Sequence, residues 1–327
     1  MEKRNVLHSY KELSSLFEER FNRNHFPENP KKLYEASQYL LTVRGKRIRP
    51  VMCLMGNELF DNINDDAYHV ATAIELFHNF TLVHDDIMDR APLRRGIETV
   101  HIKYGEATAL LAGDVMLVAA YEYLNKISTG ILHRVLNVFN ITAKKVCEGQ
   151  QMDMDFERMP DVKFEDYVTM IGLKTSVLLA ASLQLGAILG GSGLGNQQHL
   201  YEFGKNLGIA FQIQDDYLDA FGDPEKFGKK KGGDIMANKK TFLLLQAMNV
   251  ASVSQKKELN LLLQSDDESK IELVLDIYRD CQIDQWAKEL KQQYFSVAMH
   301  HLEETAVLSA RKKPLEELAK DLMVRES

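Results

Sequence analysis

Paired cysteines, proline and long apolar runs are all scarce in this chain, and each scarcity excludes something. The three cysteines, Cys53, Cys147 and Cys281, are far apart and form no CxxC pair. That rules against a disulfide framework or a zinc site and fits a reducing compartment. Only 7 prolines and 19 glycines interrupt 327 residues, with no repeat, linker or low-complexity stretch. One large helical domain over residues 1–327 is expected, although chains of this length often split into two cores. No apolar run approaches the roughly 18 residues that span a bilayer, and the polar N-terminus (MEKRNVLHSYKELSSLFEER) is unlike a signal peptide. The expected place is the cytoplasm, without stable membrane insertion. A net charge of −7 argues against general nucleic-acid binding, so any basic patch is local. No Ser–His–Asp set or catalytic cysteine is visible.

What is present is acid at the ends of apolar helices. Residues 64–89 (NDDAYHVATAIELFHNFTLVHDDIMD) read as one long helix ending in Asp85, Asp86 and Asp89. Positions i and i+4 share a helix face, so Asp85 and Asp89 point the same way. Pro92 stops the helix soon afterwards. Carboxylates at a helix C-terminus are disfavoured by the macrodipole, by about 0.3–1 kcal/mol each. Such acids are either a solvated face or ligands awaiting a cation, and oxygen-only ligands suit Mg²⁺. The same spacing recurs in FQIQDDYLD, as Asp215, Asp216 and Asp219, just before Gly222 and Pro224. Two such clusters on two apolar helices suggest facing walls of one metal site.

Basic residues surround the acids in sequence. RGKRIRP (44–50) packs four positive charges into seven residues ahead of an apolar helix. It is either a solvated loop or an anion site at a helix N-terminus. Arg90, Arg94 and Arg95 follow the first cluster, too many for simple pairing. Lys174 and Thr175 stand beside Gly172 in an apolar stretch, where a helix break would free a backbone carbonyl. Gly204, Gly208, Gln212, Asp215 and Asp219 recur at helical spacing, a face that lets a neighbour or ligand approach closely. GDPEKFGKKKGGDIMANKK then reads as a mobile basic loop able to close over a phosphate. Elsewhere, helices are expected over 5–23, with Leu13, Leu16 and Phe17 apolar, and over 105–127, 131–156 and 281–306. Asp114 is expected to hydrogen-bond within the core, and Asp153 faces either the site or solvent. Ser265-Asp-Asp-Glu268 reads as a capping box. Trp286, His300 and His301 read as packing and surface.

Taken together, GKRIRP, DDIMD, LRRG, GQQMD, KT, FQIQDDYLD and GKKKGGD occur in an order that resembles the trans-isoprenyl diphosphate synthases, or polyprenyl synthetases. The resemblance covers nearly the whole chain. It implies an all-α fold of antiparallel helices around a deep central cavity, usually a homodimer. The implied activity is condensation of isopentenyl diphosphate with an allylic diphosphate. Asp85, Asp89 and Asp215 would bind Mg²⁺, three ions with substrate present, supported by Asp86, Asp216 and Asp219. Lys46, Arg49, His78 and Arg95 would hold the isopentenyl diphosphate; the family often has Gln at the position of His78. Arg94, Lys174, Lys229 and Lys239 would hold the allylic diphosphate, with Lys230 the alternative to Lys229. Thr175 and Gln212 would lie beside the reacting carbons.

Product length should be set along the helix before Asp85, because one helical turn rises about 5.4 Å, close to one isoprene unit. Spacing alone favours Thr81 and Phe77 as the floor. The resemblance adds Phe80 and points to a C20 product, with C15 the near competitor. A terpene cyclase or a non-catalytic subunit of a heteromeric synthase is the competing reading. A cyclase normally has a different second metal motif, and such subunits usually lack one acid motif.

Overall fold

The computed structural model describes residues 7–21, 24–43, 45–159, 161–222 and 231–324. The fold is all-α. The only sheet among these residues is a two-strand hairpin, Leu93–Arg94 with Ile97–Glu98. The chain forms two compact units.

The first unit holds residues 1–141, 181–201 and 305–315. It contains α1 (Tyr10–Phe21), α2 (Lys31–Leu41), α3 (Ile48–Glu58), α4 (Asp65–Met88), α5 (Val100–Tyr104), α6 (Glu106–Leu124) and the start of α7 (Thr129–Arg158). The helix α4 is the expected long one. Asn64 caps it by accepting a hydrogen bond from Ala67 N at 3.0 Å, and Asp65 and Asp66 occupy the first turn, where anions are favoured. Its core face carries Ala67, Val70, Ala71, Ile74 and Phe77, all buried. Against it lies α6, whose buried face is mostly small (Ala109, Ala112, Gly113, Ala119, Ala120), with Met116 and Leu124. Gly113 leaves room there for the His84 ring: a Cβ would lie 2.3 Å from His84 Nε2, so the ring would have to move. In α1 the buried residues are Leu13, Phe17 and Phe21, an i, i+4, i+8 stripe, while Leu16 is half-buried.

The second unit holds residues 142–180, 202–304 and 316–327. It contains the rest of α7, α8 (Phe164–Ile171), a π turn (Gly172–Ser176), the start of α9 (Val177–Leu189) and most of α10 (Leu194–Phe221). Helices 242–250, 253–262, 270–280 and 283–304 follow. One of its cores gathers Tyr167, Ile209, Ile213 and Phe242, and Trp286 packs edge-on against Phe164, as the sequence suggests.

Three expectations are corrected. Asp114 is not a core residue: its side chain is exposed, 3.8 Å from His84 Nε2. Ser265 to Glu268 form no capping box; the helix begins at Lys270 behind Ser269, which makes no side-chain cap. Instead Ser265 Oγ accepts from Asp267 N and Asp267 Oδ1 from Ser269 N, so these side chains build a turn. Two helical segments, Glu106–Leu124 and Phe164–Leu189, are long and apolar enough to cross a membrane, because scattered polar residues dilute their hydropathy less than run length suggests. The second is 78% buried within the protein and the first 39%.

Candidate active site

In the first unit, α4 delivers its acid motif into a turn closed by Asp89 N to Asp85 O, 2.8 Å. The three carboxylates do not share one environment. Asp86 is 1% exposed and points into the protein. Arg94 holds it edge-on: Nε lies 2.8 and 2.9 Å from the two carboxylate oxygens, and Nη2 lies 2.7 Å from Oδ1. Asp85 is half-buried and Asp89 exposed. The hairpin after Pro92 aims Arg94 backwards. Arg95 and Gly96 both adopt positive φ (53° and 79°), the tight two-residue turn that matches strand twist.

A cluster of cations lies in the same unit. Arg49 Nη1 donates to His78 Nε2 at 3.2 Å, and Arg49 Nε is sealed from solvent without a partner. Desolvation lowers Arg49 to about 10, against the pull of Glu75 and with repulsion from Arg95. Desolvation first, then Arg49 and Arg95, hold His78 well below the ordinary imidazole value, so it is neutral and accepts from Arg49. Arg95 reaches Gly45, where a Cβ would lie 2.7 Å from Nη1. Neither Arg49 nor Arg95 has a carboxylate within ion-pair distance among the described residues. Two arginines crowded together with no carboxylate paired to either suit an anion. Arg47 has a different job. It adopts a left-handed φ of 50° at the start of α3 and buries its guanidinium against Glu75 (2.5 Å) and Leu41 O (3.0 Å). Lys46, exposed beside it, is tethered through its carbonyl by the Tyr10 hydroxyl.

One to two turns before Asp85, Phe77 is buried, and Phe80 and Thr81 are half-buried. Phe77 touches Phe139 edge-on at 5.3 Å and Phe80 at 5.6 Å; Phe80 meets His84 at 4.7 Å. The Thr81 hydroxyl donates to His78 O.

In the second unit the inner acid is again buried. Asp216 is 3% exposed and accepts from Gln212 Nε2 (2.9 Å) and the Tyr167 hydroxyl (3.2 Å). Burial pushes its carboxyl up to about 7; Lys239 opposes this and Asp234 adds to it. Gln212 thus uses its amide nitrogen on Asp216, and its Oε1 accepts no hydrogen bond among the described residues. Asp215 and Asp219 are half-buried. Asp219 Oδ2 accepts from Asp234 N at 2.9 Å, so this acid anchors the next loop. Lys174 pairs with Asp153 at 2.6 Å, and both side chains are only partly buried. Around it the helix does not break but widens into the π turn, a local change common at functional sites. Gly149 lets α7 approach this turn: a Cβ would lie 2.3 Å from Lys174 N. Gly204 and Gly208 do the same for α10 against Ala180 and Ser176. Lys239 is exposed, 3.6 Å from Asp234. Lys229 and Lys230 lie outside the described residues.

Among the described residues no three His, Cys, Asp or Glu side chains gather closely enough to hold a metal by themselves. The donor sets fit a hard divalent cation nonetheless. With the inner acid held by protein donors, each motif offers one or two carboxylates, the number Mg²⁺ takes when phosphates and water complete its octahedron. Two participants were not singled out in the sequence: Tyr167 and Glu75, the buried partner of Arg47. Glu75 was findable, as a lone acid within an apolar helical run.

The family model described as polyprenyl synthetase matches residues 30–281. The chain is 37% identical over 313 residues to a short chain isoprenyl diphosphate synthase of Methanothermobacter thermautotrophicus, covering 95% of each. It is 39% identical over 291 residues to a geranylgeranyl diphosphate synthase of Saccharolobus solfataricus, covering 87% of each. A crystal structure of a geranylgeranyl pyrophosphate synthase aligns with TM-score 0.93 at 40% identity, over 98% of this chain and 100% of that one. The ordered motifs, the buried inner aspartates and this near-complete coverage agree: the chain belongs to the polyprenyl synthetase family.

Proposed function

We propose that the protein is a short-chain trans-prenyltransferase that joins isopentenyl diphosphate to allylic diphosphates, making chiefly the C20 product and releasing diphosphate. The observation that carries this reading is the pair Arg49 and Arg95, neither ion-paired among the described residues, with neutral His78 accepting from Arg49, beside a separate aspartate motif in the same unit. Elongation needs two diphosphate sites of different character, one built on metal and one on bare cations; a cyclase needs only the first. Residues 1–327 act as one catalytic domain in this reading. Cytoplasmic location, without stable membrane insertion, belongs to it too.

Asp85, Asp89 and Asp215 are the magnesium ligands in this reading, for three ions with substrate bound. Asp86, Asp216 and Asp219 are support: Arg94, Tyr167 with Gln212, and the Asp234 amide hold them. When bound, the metal neutralises charge on the departing diphosphate. Arg94, Lys174 and Lys239, with Lys229 or Lys230, bind the allylic diphosphate. Arg94 keeps Nη1 for this, since its hydrogen bonds to Asp86 use Nε and Nη2. Ionisation leaves an allylic cation, towards which the Gln212 carbonyl and Thr175 hydroxyl present oxygen dipoles that stabilise it without trapping it. Apolar walls exclude water that would quench it. Lys46, Arg49, His78 and Arg95 orient the isopentenyl diphosphate, and the released diphosphate takes the final proton. A homodimer is part of the reading. Leu110, Leu111 and Val118 on α6 are 49%, 54% and 59% exposed, an apolar face suited to a second copy.

Incorporation of labelled isopentenyl diphosphate tests the class. Uptake that requires both an allylic primer and a divalent cation supports elongation. Hydrocarbon made from a single diphosphate points to a cyclase, and no turnover to a subunit.

Two variants probe named parts. Phe80→Ala removes a half-buried ring below the first motif, and longer products are expected by thin-layer sizing; an unchanged product places the floor elsewhere. His78→Gln keeps a neutral acceptor for Arg49, so KM for isopentenyl diphosphate should stay within a few-fold of wild type. His78→Ala should raise it by roughly tenfold, the loss of about 1.4 kcal/mol expected for a hydrogen bond to a charged group. Equal KM values for the two variants would contradict the role.

A further inference from the structure

The motifs leave one side chain unexplained. Lys270 opens the helix 270–280, yet it is 1% exposed. Lysine is rarely fully buried unless paired, and a cation at a helix N-terminus opposes the macrodipole. No carboxylate lies within ion-pair distance of it among the described residues. Its ammonium has three donors and finds three neutral oxygens: Ser265 O at 2.7 Å, Asn238 Oδ1 at 2.8 Å and Met236 O at 3.2 Å. A purely space-filling role would be met by methionine, without burying a charge.

Two of those three acceptors lie on the segment that carries Lys239. Asn238 sits at a left-handed φ of 54°, immediately before that lysine. The Lys239 amide donates to Asp234 O, and its carbonyl accepts from Thr241 N, both at 2.9 Å. The other end of the segment is fixed to the second acid motif. Gly232 N donates to Asp219 O at 2.7 Å, and Asp234 N to Asp219 Oδ2 at 2.9 Å. Gly232 also packs against Ile271, the neighbour of Lys270: a Cβ would lie 2.6 Å from Ile271 Cγ2. Residues 232–239 are thus held between Asp219 and the Lys270 ammonium.

We infer that Lys270 is a positioning residue for the reaction, clamping Met236 and Asn238 so that Lys239 meets the allylic diphosphate. The inference rests on the reading of Lys239 given above. It acts through Asn238 and touches no substrate itself.

The test compares Lys270→Met, Lys239→Ala and the double variant in steady-state kinetics, together with amide exchange over residues 232–241. Lys270→Met should keep helical circular dichroism and a cooperative unfolding transition. It should raise KM for the allylic diphosphate roughly tenfold, leave KM for isopentenyl diphosphate unchanged, and speed exchange in the segment. On top of Lys239→Ala it should add nothing, because it works through that side chain. Additive losses, or equal rises in both KM values, would overturn the inference. So would unchanged exchange. Asn238→Gly keeps the left-handed backbone and removes only the acceptor. It should reproduce the allylic KM effect in part, and serves if Lys270→Met does not fold; no effect in that variant counts against the clamp. If Lys239→Ala itself leaves the allylic KM unchanged, the reading of Lys239 fails and the inferred role with it. Exchange still reports whether the clamp exists.

Discussion

Asp85→Ala should all but abolish turnover while leaving the helical fold intact, and Asp215→Ala should do the same. Both are outer acids of their motifs, half-buried rather than sealed. Neither removal empties a packed core. An anion in the last turn of α4 also opposes the helix dipole. Catalysis is another matter. Metal stabilisation of a departing diphosphate is worth several kcal/mol, so losing a ligand should cost about three decades in kcat. Raising Mg²⁺ should not restore the wild-type rate. Asp86 provides the contrast. It is buried and bound by Arg94, so Asp86→Ala leaves a guanidinium without its acid and should lower the unfolding midpoint as well as activity. Near-normal kcat in Asp85→Ala or Asp215→Ala would remove the metal role of the outer acids.

Glu75→Ala should be strongly destabilising. Arg47 and Glu75 have side chains only 2% and 5% exposed. Arg47 Nε already lacks a partner, and Asn79 Nδ2 also leans on Glu75 Oε1 at 3.1 Å. Removing the acid strands a buried guanidinium, at a cost of about 3–5 kcal/mol. Urea unfolding should show that loss as a lower midpoint with little change in slope. Replacing both partners by apolar residues (Arg47→Met with Glu75→Leu) should recover much of the stability, since the desolvation cost disappears with the charges. If the pair also holds the left-handed turn that orients Lys46 and Arg49, KM for isopentenyl diphosphate should stay high in the double variant. A loss below about 1 kcal/mol for Glu75→Ala would mean that the pair is effectively solvated.

Much of this was legible in the chain because helical periodicity is local. The spacing of Asp85 and Asp89 alone places them on one face, and α4 runs from Asp65 to Met88, within one residue of the reading at each end. The glycines of α10 signalled close approach, and Gly204 and Gly208 do meet the 176–180 segment. What sequence could not supply was which acid of each motif turns inward. That depends on Arg94 arriving from a hairpin and on Tyr167 arriving from α8. Asp114 was misplaced for a similar reason. Its helix is apolar nearly all round, so periodicity could not tell the core face from the exposed one. The capping box failed because Asp267 and Ser265 bond within their own turn. The π turn at Gly172 shows how a glycine beside Lys174 can loosen a helix without breaking it.

Product sizing is the most direct test of chain elongation at this site. Purified protein would be given Mg²⁺, labelled isopentenyl diphosphate and, separately, C5, C10 and C15 allylic diphosphates, and the dephosphorylated products sized. The expected result is a discrete linear C20 alcohol, lost on chelation of the metal. A C15 or C25 product would keep the reaction and move the floor. Absence of incorporation from every primer, with folded protein, would contradict the assignment.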